Sequence, residues 1–243
     1  MEWFATWFDT SYYHILYKNR DNKEAEFFIR HLLDILNLDP QSKILDLACG
    51  KGRHSVFLNA LGYSVHGMDL SEASIQYAKK HETHRLTFSV GDMRKPYFPN
   101  SFDTILNLFT SIGYFEDKQD NKKVFQSVSE QLKENGIFVI DYLNPIYITS
   151  NLKKYEEKEI EGIQFKITKE INDNFIVKNI HFIDKEKEFH FQEKVQLFHY
   201  YDFINMAEEV DLELVNIYGN YNLEDFDEKD SPRTIIIFKK NGK

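Results

Sequence analysis

Five short apolar runs of strand length lie between residues 43 and 144: KILDLA, YSVHGMDL, LTFSVGD, FDTILNLF and GIFVIDYLN. Stretches of helical periodicity interleave them, HSVFLNALG with Gly62 as its stop, EASIQYAKKH capped by Ser71, and NKKVFQSVSEQLKENG with Val124, Phe125, Val128 and Leu132 on one stripe. Strands joined through helices pair in parallel, because a parallel pair needs a right-handed crossover that packs back on the sheet. An α/β fold with helices on both faces of the sheet follows. Ahead of it, residues 22 to 38 place Ala25, Phe28, Ile29, Leu32, Leu33 and Leu36 at helical spacing, with Asp21 and Glu24 spaced as a capping box. Beyond it, a helix over YDFINMAEEVDL precedes the strands LELVNIYGNY and RTIIIFKK, and the acidic linker between those strands suits an antiparallel pair.

The rhythm breaks near residue 150. Residues 163–171, 175–184 and 187–200 read as three antiparallel strands separated at NDN and DKEK. In the third, Phe189, Phe191, Val195 and Leu197 alternate with His190, Gln192, Lys194 and Gln196, the pattern of one dry and one wet face. The expected division is therefore a main domain of residues 1–145 and 201–243, with 146–200 inserted after strand five. The chain has 30 Lys and Arg against 39 Asp and Glu, a net charge of −9, and the segment 151–200 is no basic platform either. That balance argues against a nucleic-acid partner. With no apolar run of bilayer length and a single cysteine, Cys49, a cytoplasmic protein without membrane contact is expected. Cys49 reads as a small buried residue of a tight loop. No metal site is expected: His81 and His84 lie three apart on a helix without a visible third ligand.

The first strand runs into ACGKGRHS, a glycine turn opening a helix, which brings backbone N–H groups and a helix N-terminus to the sheet's carboxyl edge. A dinucleotide fingerprint would want a third glycine where Ser55 stands, and a P-loop would want Ser or Thr where Gly52 follows Lys51. Asp69 closes the second strand, where a carboxylate can accept both hydroxyls of a ribose, and Asp92 closes the third after Gly91. Either aspartate alone is as readily a turn former.

The strings ILDLACGKGRHS, VHGMDLS, VGDMRK, FDTILNLFTSIGYF and LKENGIFVIDYLNP, in this order, resemble the class I S-adenosylmethionine-dependent methyltransferases over residues 42–145, and DSPRTIIIFKK resembles their closing hairpin strand. The leading segment FDTSYYHILYKNRD looks like the N-terminal lid, residues 1–22, of a bacterial subgroup acting on small molecules. Ala48 departs from the pattern, standing where many members carry the first glycine. The resemblance implies a Rossmann-like mixed sheet of seven strands and S-adenosylmethionine as cofactor. It implies that backbone at Ala48 and Gly50 faces the methionine moiety, with Asp46 ordering its amino group. Asp69 would hold the ribose, Met68 or Leu70 and Met93 would flank the adenine, and Asp92 would read its amino group. Asn107 would offer backbone near the methionine end, while Tyr13, Arg20 and Arg53 would cover the sulfonium side. Tyr114, Tyr142, His14 and His199 are the candidate proton acceptors. The expected reaction is in-line N- or O-methylation of a small-molecule acceptor, with the inserted sheet as its cover or, through its dry face, as a homodimer surface. An RNA or protein methyltransferase and a non-catalytic cofactor-binding module stay open as alternatives.

Overall fold

The computed structural model describes residues 3–18 and 22–242. Two short helices, α1 (Trp3–Trp7) and α2 (Ser11–Leu16), lead into α3 (Asn22–Leu36). Then follow β1 (Lys43–Leu47), α4 (Arg53–Ala60), β2 (Ser64–Asp69), α5 (Glu72–Ala78), β3 (Leu86–Val90), β4 (Phe102–Asn107), α6 (Lys118–Gln131) and β5 (Leu132–Leu143). After α7 (Pro145–Ser150) come β6 (Tyr155–Ile160), β7 (Ile163–Asn172), β8 (Phe175–Asp184) and β9 (Lys187–Gln196), and α8 (Tyr200–Glu208), β10 (Leu212–Tyr218) and β11 (Arg233–Lys240) close the chain.

Seven strands form one sheet in the order β10-β11-β5-β4-β1-β2-β3, and only β11 runs antiparallel to its neighbours. Its two faces have separate cores. On β11, Ile235 and Ile237 join Phe28, Ile29, Leu32 of α3 and Leu58 of α4, whereas Ile236 and Phe238 join Val124 and Phe125 of α6 and Phe203 of α8. The period-two alternation of strand side chains thus feeds both layers from an uninterrupted apolar run. β1 lies between β2 and β4, and the chain passes from one half of the sheet to the other there, so the loops after β1 and β4 part and leave a crevice at the carboxyl edge.

The second sheet, β6-β7-β8-β9, is antiparallel throughout. It has four strands where the sequence suggested three. The missed strand, β6, is largely exposed and carries YEEKEI, too charged to read as a strand until it pairs with β7. Three further expectations are corrected. Helix α6 starts at Lys118, capped by the Asp117 side chain, and ends at Gln131; Leu132 already pairs with Phe102, so LKEN belongs to β5. On β9, Gln196 is buried, because its N–H donates to the Gly113 carbonyl and its own carbonyl accepts from the Tyr142 hydroxyl. The dry face of this sheet is no free dimer surface: Trp7 and Leu16 of the N-terminal helices pack on Phe165, Ile167, Ile180 and Phe182. The expected cap Asp21 lies outside the described residues.

Candidate active site

The loop after β1 holds its shape through backbone conformation. Ala48, Gly50 and Gly52 all have positive φ, +64°, +56° and +81°. Gly50 would meet nothing within 4 Å of an added Cβ, so its glycine serves the left-handed turn, whereas at Gly52 a Cβ would come within 2.7 Å of the Phe88 ring. Ala48 takes the same left-handed conformation with a side chain, at a steric cost of about 1–2 kcal/mol. The N–H groups of Ala48 and Cys49 both donate to the Met68 carbonyl at 2.8 and 3.0 Å, folding the loop over the end of β2. Cys49 is buried, and burial pushes its thiol up, so it is a structural residue.

Asp69 ties two loops together. One carboxylate oxygen accepts the Gly50 N–H and the other the Ser71 N–H, each at 2.8 Å. Burial raises its pKa, and the backbone donors Ser71, Gly50 and Leu70 partly reverse that. Asp46 lies deeper, 1% exposed, accepting from the Ser55 hydroxyl at 2.5 Å. Burial pushes its carboxyl up to about 6, against the pull of that hydroxyl. At the end of β3, Arg94 grips Asp92 through Nε and Nη2 and reaches Asp120 at 2.8 Å. Burial would raise the Asp92 carboxyl, but Arg94 more than offsets it and the net shift is downward.

The loop after β4 forms the facing wall. Phe109 and Thr110 are consecutive left-handed residues, at +58° and +59°. Two bonds to Asp141 hold them, from the Phe109 N–H to its carboxylate and from the Thr110 N–H to its carbonyl. Arg233 completes the brace, pairing with Asp141 at 2.7 Å and donating to the Thr110 hydroxyl at 3.0 Å. The cavity between these loops has a volume of about 780 Å³. The N-terminal helices roof it with Phe4, Phe8, Tyr13 and His14, and Phe8 packs against both Tyr13 and Tyr114 at 4.9 and 5.3 Å between ring centres. Asp9 fastens this roof to the start of α5, accepting from the Ser71 hydroxyl at 2.7 Å.

Of the residues singled out in the sequence, Tyr13, Ala48, Gly50, Arg53, Met68, Asp69, Leu70, Asp92 and Met93 line this cavity, as do His14 and Tyr114. Asp46 sits behind the wall. Asn107 is fully buried beneath it, its amide donating to the Leu47 carbonyl at 3.0 Å, and Leu108, Phe109 and Ser111 line the cavity instead. Tyr142 is buried with its hydroxyl on the Gln196 carbonyl, and His199 caps α8 and stacks on Tyr201; neither reaches the cavity. Arg20 lies outside the described residues. Asp141 and Arg233 escaped the sequence reading because only the pairing of β5 with β11 brings them together, whereas Arg94 was passed over although Asp92 lies just two residues before it.

The family described as a methyltransferase domain matches residues 38–196, well over half of the chain. The chain belongs to this family. It is a class I S-adenosylmethionine-dependent methyltransferase, with S-adenosylmethionine as cofactor. It is 36% identical over 108 residues to a putative methyltransferase, YqeM, of Bacillus subtilis, covering 43% of this chain and 44% of that one. It is 29% identical over 100 residues to a dTDP-3-amino-3,4,6-trideoxy-alpha-D-glucopyranose N,N-dimethyltransferase of Streptomyces venezuelae, 41% of this chain and 42% of that one. The chain thus spans about half the length of the curated relatives it matches. A methyltransferase structure from Clostridium acetobutylicum superposes with a TM-score of 0.80 at 22% identity, covering 95% of this chain and 96% of that one. A sugar N-methyltransferase from Streptoalloteichus gives 0.72 at 20%, over 95% and 93%. These structural likenesses concern the fold.

The methyltransferase's cavity suits that cofactor. Asp69 offers a carboxylate at the wall, the space over Gly50 is open, and the roof presents aromatic rings to which a sulfonium is attracted. Among the described residues no helix is long and apolar enough to cross a membrane.

Proposed function

We propose that this methyltransferase methylates an amine or hydroxyl of a small molecule held between the carboxyl edge of the main sheet and the aromatic roof, in the cytoplasm. One observation carries the reading: a single cavity of about 780 Å³, within the ~300–1,000 Å³ of small-molecule sites, has the loop ends of four strands on one wall and the N-terminal rings on the other. The dTDP-amino-sugar relative, together with those named for phosphoethanolamine and glycine N-methylation, favours nitrogen as the receiving atom.

S-adenosylmethionine, when bound, supplies an electrophilic methyl carbon on a sulfonium. In our assignment Asp69 accepts the ribose hydroxyls, Asp92 reads the adenine amino group, and Met68, Leu70 and Met93 flank the ring. Asp46, with backbone at Ala48 and Gly50, serves the methionine end, and Tyr13 and Arg53 cover it. The protein's chief contribution is alignment of acceptor and methyl with water excluded, which the ring-lined roof provides. The second sheet, packed on that roof, acts as the acceptor's cover. His14 is the assigned proton acceptor. It lines the cavity, its buried Nε2 has no hydrogen-bond partner among the described residues, and burial and then Lys51 push its pKa down to about 4, so at neutral pH it is uncharged and able to accept.

The test incubates the protein with S-adenosylmethionine and a panel of small amines and alcohols, with tRNA and protein arms alongside, and follows methylated product by mass spectrometry. Methylation of a small amine supports the proposal. Transfer only to tRNA or protein, or calorimetric binding without any transfer, overturns it. His14→Asn should lower kcat about 10²-fold while cofactor affinity holds.

A further inference from the structure

The outer face of the second sheet, turned away from the roof and cavity, carries a group of side chains that methyl transfer does not use. His181 on β8 and His190 on β9 are direct cross-strand partners, and Glu188 lies two residues before His190 on the same face. The His181 and His190 rings stack with centres 4.4 Å apart, 29° between planes. Both Nε2 atoms turn to one oxygen of Glu188, at 2.7 Å for His181 and 3.4 Å for His190. One ligand atom from each of the three lies within 4.8 Å of the others. Phe182 and Phe189, the neighbours of these residues along the strands, point the other way into the apolar layer under α1 and α2.

We propose that His181, Glu188 and His190 form a binding site for one divalent transition-metal ion of the zinc, nickel or copper class, with water completing its coordination. Two imidazoles and a carboxylate are a donor set these ions favour over magnesium or calcium. Ligand atoms about 2.0–2.2 Å from a tetrahedral ion stand roughly 3.4 Å from each other. The His190 to Glu188 separation already has that value, and the His181 pair, at 2.7 Å, needs to open by about 0.7 Å, within reach of a side-chain rotation at an exposed site. The backbone is fixed beforehand. A two-residue turn, Lys185 and Glu186, with φ of +49° and +64°, joins the strands and sets the register that places His181 opposite His190. Lys166 stands across from His181 on β7, and its charge opposes that of an ion, so the affinity falls short of a buried structural site. The two histidines the sequence offered as a pair, His81 and His84, take no part.

The ion would clip the β8–β9 hairpin together. The measurement is calorimetric titration of the tag-free, chelator-treated full chain with zinc chloride, repeated with magnesium chloride. Expected are one zinc per chain, no magnesium heat, and a zinc-dependent rise in Tm. His190→Asn and His181→Asn should each weaken zinc binding at least about tenfold, with circular dichroism and S-adenosylmethionine affinity unchanged. Zinc affinity equal in the wild type and in both variants, or no zinc binding up to about 1 mM, overturns the proposal.

Discussion

The two sheets solve the same problem, burying apolar strands, in opposite ways. The seven-stranded sheet is covered on both faces by helices, most of them supplied by its own connections and one, α3, leading into its first strand. The four-stranded sheet has hairpin connections and brings no helices. Its dry face is closed by α1 and α2 from the far N-terminus, and its other face stays wet. Even a charged residue on the dry face, Glu193, is satisfied by this arrangement, accepting from Trp7 Nε1 at 2.8 Å and the Tyr17 hydroxyl at 2.6 Å and pairing with Lys178. The roof of the cavity is thus held from both sides, by Asp9 on α5 and by Trp7 on β9. The main sheet is expected to hold as an autonomous scaffold, although Phe4 of α1 enters one of its cores; the second sheet and the roof stabilise each other.

Trp7→Ala should break the comparison most visibly. Trp7 is 1% exposed and its ring lies 4.3 Å from that of Phe191, so removal should cost about 3–5 kcal/mol. Hydrogen exchange should show lost protection in β7–β9 and kept protection in β1, β4 and β5. Uniform loss would refute the autonomy of the main sheet.

Asp46→Asn tests what the main sheet gives up at its mouth. A carboxyl raised to about 6 in the fold, from 3.8 unfolded, adds stability below pH 4 and loses it as pH climbs through 6, by up to about 3 kcal/mol. His14 runs the other way in the same window, since an imidazole depressed to about 4 disfavours the folded state at acid pH. The difference between wild type and Asp46→Asn in denaturant melts from pH 4 to 7 therefore isolates Asp46. The variant should be the more stable at pH 7 and bind S-adenosylmethionine more weakly.

Asp69→Ala should weaken cofactor binding by about 2 kcal/mol, near thirtyfold, by calorimetry. Exchange in the second sheet should not change. The smallest effect belongs to Ala48→Gly. Relief of a left-handed alanine exceeds the added chain entropy of glycine, so stability should rise by up to about 1 kcal/mol at unchanged cofactor affinity. A loss of stability would show that the loop does not strain Ala48.

The sequence alone determined the strands of the main sheet, their succession along the chain and the loop after β1. An apolar run, a left-handed turn and a helix start are local matters of period and φ, readable without neighbours, and Asp69 and Asp92 could be picked out because each ends its strand. Charged strand β6 was illegible for the same reason: nothing in YEEKEI shows where its partner lies. Tertiary structure alone decided which side chains meet. Arg233 reaches Asp141 because β11 lies beside β5, Trp7 reaches Glu193 because the roof packs on the second sheet, and His181 faces His190 through hairpin register. Such pairings depend on sheet order and register, which join residues distant in the chain, and that is why the cavity's floor was visible in the sequence, its roof only through the family resemblance of the N-terminal segment, and its braces not at all.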